Sequence, residues 1–153
     1  MSSQPLTTAR LVLRAWPAED ITAVLENVRL PHWATDFPAE GDRVIAGVVA
    51  EHPDGQHQIV ERDTGLVVGS IGLFWPPRDG TLEIGYGVVP SRRGLGYAPE
   101  AARALAGHAL TVPGVHTVYA DVELANPPSI RVLEKAGFDR LNANEETARY
   151  HLR

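Results

Sequence analysis

The sequence predicts a single α/β domain (α+β in some schemes) over residues 1–153: a mixed, mostly antiparallel sheet of about six to seven strands flanked by helices. Three observations carry this. Residues 82–124 run strand, glycine turn, Ala-rich helix, strand, the pattern of a crossover joining two parallel strands. Residues 58–89 hold short strand-like segments broken by Arg62-Asp63-Thr64-Gly65 and Pro76-Pro77-Arg78-Asp79-Gly80, the pattern of an antiparallel meander. Apolar residues at helical spacing precede the meander.

Each element has its own signal. Residues 1–9 are polar and are expected to fray. Arg10 to Arg14 alternates as a strand. Pro17 opens a helix with Glu19 and Asp20 in its first turn, and Ile21, Val24, Leu25 and Val28 form its buried stripe. Pro31 to Gly41 is an aromatic-bearing loop. A second helix follows Asp42, carries Val44, Ile45, Val48 and Val49, and breaks at His52-Pro53-Asp54-Gly55. Strands are predicted at Gln58–Glu61, Leu66–Phe74 and Thr81–Val89. The next helix buries Ala98, Ala101, Ala102, Leu105 and Ala109, small residues that permit close packing on a sheet, and Pro113-Gly114 ends it. His116–Leu124 is a β-branched strand, Asn126-Pro127 starts a helix that stops at Gly137, and Thr147–Leu152 is a last strand.

Composition excludes several function classes. With 44% hydrophobic and 22% charged residues the chain folds as a globular protein. A net charge of −5 argues against general nucleic-acid binding. There is no Cys, which excludes disulfides, thiolate catalysis and Cys-type zinc sites. The six His show no metal-ligand spacing, so no metal is expected. No apolar run is of membrane-spanning length and no leader pattern opens the chain, so a cytoplasmic protein without membrane partners is expected. A homodimer would cover the edges that a meander leaves open.

Chemistry concentrates in Val88-Val89-Pro90-Ser91-Arg92-Arg93-Gly94-Leu95-Gly96-Tyr97-Ala98-Pro99-Glu100-Ala101. Glycines let the backbone approach an anion, a helix N-terminus offers unpaired N–H groups, and two arginines add charge. A Walker loop needs Gly-Lys-Ser/Thr, which is absent, and a dinucleotide turn needs a third glycine at position 99, which is Pro. Arg93-Gly94-Leu95-Gly96-Tyr97-Ala98 instead resembles the acyl-CoA turn of the GNAT N-acetyltransferases, Arg/Gln-x-x-Gly-x-Gly/Ala. Asn126-Pro127-Pro128-Ser129, followed by Lys135-Ala136-Gly137-Phe138, is similar to a second block of that family. Thr8 to Arg14 with Glu19-Asp20 resembles the opening of its RimJ/RimL-type branch.

The resemblance implies a GNAT fold and transfer of acetyl from acetyl-CoA to a primary amine, on a small molecule or a peptide. With no Cys to carry the acetyl group, attack is direct. It implies cofactor contacts from the backbone of Arg93, Gly94, Leu95, Gly96, Tyr97 and Ala98, from Val88 and Val89 along the pantetheine arm, and from Asn126 and Ser129. Asn126 and Gly137 are also ordinary helix caps. Leu133 stands where many members carry a Tyr that protonates the leaving thiolate; Tyr86 and Tyr119 are candidate substitutes, with buried core tyrosines as the plain alternative. Glu83 is the candidate general base: with Gly85 and Gly87 it faces one side of its strand, where two glycines leave room for a ligand. A solvated strand carboxylate is the plain alternative. The acceptor is expected between the Pro31–Gly41 loop and Phe74-Trp75, with His32, Trp33, Asp36, Phe37 and Trp75 as candidates and Asp36 and Glu40 available to attract a cation; the aromatics fit a core equally well. Two other functions remain: a non-catalytic acyl-CoA-binding regulatory domain, and a dinucleotide-dependent oxidoreductase, which the single phosphate turn disfavours.

Overall fold

A computed structural model describes residues 4–153. Eight strands and four helices follow one another as β1 (Leu6–Thr7), β2 (Leu11–Ala15), α1 (Ala18–Leu25), α2 (Glu40–Glu51), β3 (Gln56–Glu61), β4 (Val67–Leu73), β5 (Thr81–Val88), α3 (Tyr97–Ala109), β6 (Thr117–Glu123), α4 (Pro127–Lys135), β7 (Asp139–Ala143) and β8 (Thr147–Leu152). The sheet order is β1-β2-β3-β4-β5-β6-β8-β7. Every neighbouring pair is antiparallel except β5 and β6. The meander and the parallel crossover are therefore as the sequence predicts. No helix among the described residues is long and apolar enough to cross a membrane.

Period-2 alternation gives the sheet two different faces. Leu11, Leu13, Ile59, Ile71, Leu73, Leu82, Ile84 and Val118 are buried on one of them. Here α3 presents Ala101, Ala102, Leu105, Ala106 and Ala109, all fully buried. Methyl-sized side chains bring the helix axis close to the strands, and that placement carries the glycine turn before α3 to the end of β5. On the opposite face lie α1 and α2, joined to the strands by polar contacts: Asp20 of α1 to Gln58, and Asp42 of α2 to Ser70.

The parallel pair sets up the site. β5 and β6 pair only over Thr81–Glu83 with Thr117–Tyr119. Beyond Glu83 the strands diverge while β5 stays in register with β4, unbulged, through Val88. Ladder alternation turns the N–H and C=O of Glu83, Gly85 and Gly87 toward β4, so those of Tyr86 and Val88 face the gap.

Several expectations need correction. The sheet has eight strands, not six or seven. Leu6–Thr7 does not fray: it pairs with β2, anchored by Arg62 donating to the carbonyls of Thr8 and Ala9 at 2.8 and 3.0 Å. Residues 1–3 of that segment lie outside the described residues. The unforeseen β7, Asp-Arg-Leu-Asn-Ala, is exposed at all five positions and gives no hydrophobic signal. In α1 the buried stripe is Asp20, Ala23 and Val24, whereas Leu25 and Val28 are exposed. In α2 Ala46 and Val49 are buried and Val44 is exposed. Asp42 lies inside α2, which begins at Glu40.

Candidate active site

After β5 the chain makes one tight helical turn, Pro90–Arg92, then reverses through Gly94 (φ 78°) and Gly96 (φ 83°) into α3. Both glycines are left-handed, a conformation that costs other residues about 1–2 kcal/mol. The Arg93 N–H is bonded to the Pro90 carbonyl at 3.3 Å. Among the described residues the N–H groups of Gly94, Leu95, Gly96, Tyr97 and Ala98 take no partner from the chain. Five such donors at the start of a 13-residue helix form an anion cradle.

Two carboxylates fasten this turn to the sheet. Glu100, in the first turn of α3, accepts from the Thr8 hydroxyl at 2.5 Å, the Arg10 N–H at 3.0 Å and Arg10 Nε at 2.8 Å. Arg10 also donates to the Leu95 carbonyl at 2.7 Å and lies 4.8 Å from the Tyr97 ring centroid. The N-terminal block and the phosphate turn are thus one structural unit. Glu61, at the end of β3, accepts from the Tyr97 hydroxyl at 2.7 Å and Arg92 Nε at 3.1 Å. Arg92 therefore braces the turn while lining the cleft beside it. Glu100→Ala removes the acceptor for three donors and is expected to cost about 1–3 kcal/mol. Amide exchange at Leu95–Ala98 should quicken more than exchange in the core strands, and equal change everywhere would sink this role.

A cleft of about 590 Å³ opens between this turn, the free end of β5 and α4. It brings together Val88, Arg93, Gly94, Gly96, Tyr97, Ala98, Asn126 and Ser129 of the predicted cofactor set. Val89 and Leu95 do not line it. Both main-chain groups of Val89 are used internally: its N–H bonds the Val68 carbonyl at 2.9 Å and its C=O accepts from the Arg92 N–H at 3.0 Å. Arg93 Nε bonds the Val88 carbonyl at 2.9 Å, which holds the guanidinium at the cleft wall. Asn126 caps α4 by accepting from the Ser129 N–H at 3.3 Å. Tyr86 spans the gap from β5, its hydroxyl 2.8 Å from Ser129 Oγ, and burial pushes its phenol pKa up. Leu133 is buried in the core and does not reach the cleft. Tyr119 is covered by the Arg149 guanidinium, 4.2 Å from its ring centroid.

A second cleft, of about 340 Å³, lies on the α2 side and shares Tyr86, Gly87, Val88 and Arg93 with the first. Its floor holds Asp42 and Ser70, both buried. The Ser70 hydroxyl donates to Asp42 Oδ1, and the Ala39 N–H to Oδ2 at 2.9 Å. Burial raises the Asp42 carboxyl pKa, helped by the charge of Asp36 and opposed by the two hydrogen bonds and Arg93. Sequence reasoning missed this pair. An acid three residues into a helix is usually a surface cap, and nothing local links it to Ser70.

The other predicted acceptor residues lie elsewhere. Trp33 and Phe37 are core, 4% and 0% exposed, packed edge to face at 5.3 Å. Trp33 Nε1 and His32 Nε2 both meet Asp20 Oδ2, at 3.0 and 2.9 Å. Asp36 accepts the Ser91 N–H and hydroxyl, each at 2.7 Å, so it ties its loop to the phosphate turn instead of waiting for a cation. Trp75 lines neither cleft. Glu83 shares its sheet face with Gly85 and Gly87 but also lines neither. The Phe74 ring lies over the neighbouring Gly85, where a Cβ would come within 3.3 Å of it. Burial and the Asp121 carboxylate raise the Glu83 pKa, against the pull of Arg149.

A glycine cradle at the head of α3, beside a strand that peels from its parallel neighbour, frames an acetyltransferase-type site. The model of the acetyltransferase (GNAT) domain family matches residues 10–139, and the chain belongs to that family of N-acetyltransferases. An uncharacterized N-acetyltransferase of Bacillus subtilis (strain 168), YnaD, is 28% identical over 140 residues, 88% of this chain and 82% of that one. An acetyltransferase crystal structure from Agrobacterium tumefaciens str. C58 superimposes with a TM-score of 0.71 at 25% identity, covering 100% of this chain and 96% of that one. A GNAT-family acetyltransferase from Bacillus anthracis shares the fold with the same TM-score, 0.71, at 24% identity, over 97% of this chain and 96% of that one.

Proposed function

We propose that the protein transfers the acetyl group of acetyl-CoA to a primary amine by direct attack. One observation carries this reading: two clefts of different character meet over Tyr86–Val88. The basic one, with its unpaired N–H groups, suits the pyrophosphate of acetyl-CoA; the other, with a buried carboxylate, suits an amine. Acetyl-CoA supplies an activated acyl carbon. The cradle from Gly94 to Ala98 would hold its pyrophosphate, and the gap-facing groups of Tyr86 and Val88 its pantetheine arm. The Val88 N–H, aimed into the gap, would polarise the thioester carbonyl. As the C–N bond forms and the C–S bond breaks, the amine must lose a proton to a base, and the sulfur leaves as thiolate or takes a proton. Tyr86, which lines both clefts and whose phenol pKa burial pushes up, would serve that sulfur. Glu83 could reach the amine only through water.

Calorimetric titration with acetyl-CoA, CoA and NAD tests the donor, and a thiol-reactive dye follows turnover with an amine panel. The chain has no Cys, so every thiol detected is released CoA. Acetyl-CoA should bind and amines should release CoA. Binding without turnover on any amine would favour an acyl-CoA-sensing domain, and retention of NAD alone would refute the reading.

A further inference from the structure

We propose that Asp42, set by Ser70 in the floor of the second cleft, receives the acceptor's amine and takes its proton, and that the acceptor is a primary monoamine bearing an apolar substituent. This rests on the acetyl-transfer reading above and goes beyond it by assigning the base and the substrate class.

Three buried acids occur among the described residues: Asp20, Asp42 and Glu61. Asp20 is approached by Arg14 at 3.7 Å and His32 at 2.9 Å, and Glu61 by Arg92 at 3.1 Å. Asp42 has no Lys, Arg or His within ion-pair distance among the described residues. A carboxylate removed from water without a cationic partner is costly to keep, and it persists where it is used. Asp42 has two donors, Ser70 Oγ and the Ala39 N–H. A carboxylate offers about four lone-pair sites, so Asp42 retains capacity for an ammonium N–H. It also lines the cleft that adjoins the proposed acyl position, which Glu83 does not.

The cleft walls fix the class of amine. At about 340 Å³ the cleft is near the lower end of small-molecule sites, roughly 300–1,000 Å³. Ala39, Val44 and Ile45 supply apolar surface, and Val44 is 63% exposed. Among the described residues the only other charged one lining it is Arg93, a cation. A polyamine needs a second anion along its length, and neither Asp36 nor Glu40 lines the cleft. In the reaction the ammonium first gives one proton to Asp42, which passes it to solvent; the freed amine nitrogen bonds to the acyl carbon, the C–S pair leaves with CoA as thiolate, and the second proton released as the amide forms goes to that thiolate.

The test measures kcat/KM from pH 5 to 9 with phenethylamine, a short peptide beginning with Phe, and spermidine, together with acetyl-CoA affinity. Asp42→Asn should lower kcat/KM at least 100-fold, within the range for losing a general base, while acetyl-CoA affinity stays within twofold. Ser70→Ala removes a hydrogen bond that favours the carboxylate, so the acid limb of the profile should move to higher pH. Glu83→Gln should lower kcat/KM less than Asp42→Asn does. Phenethylamine or the peptide should be preferred over spermidine, and which of the two wins separates a free amine from a chain terminus. Should Asp42→Asn fail to fold, Val44→Glu, at an exposed site, is expected to shift preference toward spermidine. Asp42→Asn within threefold of wild type, a larger loss in Glu83→Gln, an unmoved acid limb, or spermidine as preferred substrate of the wild type would each overturn the assignment while leaving acetyl transfer intact. Failure of the wild type to bind acetyl-CoA would bring down the transfer reading and this assignment with it.

Discussion

Asp20→Ala is expected to lower the unfolding free energy by about 3–5 kcal/mol, the range for removing one member of a buried charged network. Asp20 is 1% exposed, and its Oδ2 accepts from Gln58 Nε2 at 2.8 Å and Trp33 Nε1 at 3.0 Å, with His32 Nε2 at 2.9 Å. Truncation leaves the Gln58 and Trp33 donors buried without an acceptor, and each such group costs about 1–3 kcal/mol. For a domain of this size the melting temperature should fall by roughly 10 °C. The pH dependence has a definite sign. Burial pushes the Asp20 pKa up, but the hydrogen bonds from Gln58, Trp33 and His32 and the charge of His32 outweigh it, and the pKa ends below its ordinary value. A carboxyl with a depressed folded-state pKa stabilises above its unfolded pKa and loses that contribution as pH falls through the folded one. Urea unfolding should therefore show a constant gap between wild type and Asp20→Ala from pH 7 to about 5, narrowing below about pH 4. A gap that persists undiminished into acid would mean the ionised carboxylate is not what holds the network.

The same network explains where sequence reasoning stopped. The glycine turn before α3 is legible because its geometry is local: two left-handed glycines, a helix start and adjacent arginines lie within a few residues. The meander and crossover were legible because alternation and turn residues are local as well. Trp33 and Phe37 were ambiguous because a loop aromatic serves core or pocket depending on what faces it, and Trp33 meets an acid 13 positions away. The Asp42–Ser70 pair spans 28 residues and Tyr86–Ser129 spans 43, so no window of sequence contains either. Strand alternation puts Glu83 on one face with Gly85 and Gly87, as the ladder shows, but it cannot show that Phe74 lies over the neighbouring glycine. The edge strand β7 has no buried side chain and hence no periodicity to read.

Gly96→Val is expected to weaken acetyl-CoA binding at least 100-fold. Gly96 precedes α3 with φ 83°, and a Cβ there would stand 3.2 Å from Arg10 Nη2. A β-branched residue cannot hold that conformation without strain, so the turn must swing and the run of N–H groups from Gly94 to Ala98 loses its common direction. Hydrogen bonds to a charged group contribute about 1.5–3 kcal/mol each, so losing two reaches the 2.7 kcal/mol that a 100-fold change represents. Gly94→Ala makes a useful comparison. Its φ of 78° is equally left-handed, but its Cβ would enter open space, so the penalty is backbone strain alone and a loss of about tenfold follows. The order of the two variants separates the possibilities. If Gly96→Val unfolds the protein, its ligand-free melting temperature will collapse and the binding loss carries no site information. If the melt holds and acetyl-CoA affinity falls in the order wild type, Gly94→Ala, Gly96→Val, the left-handed turn is what grips the pyrophosphate. Equal affinity in all three would mean that the arginines, not the backbone, bind the anion, and the cleft-lining Arg92, Arg93 and Arg131 would become the residues to replace.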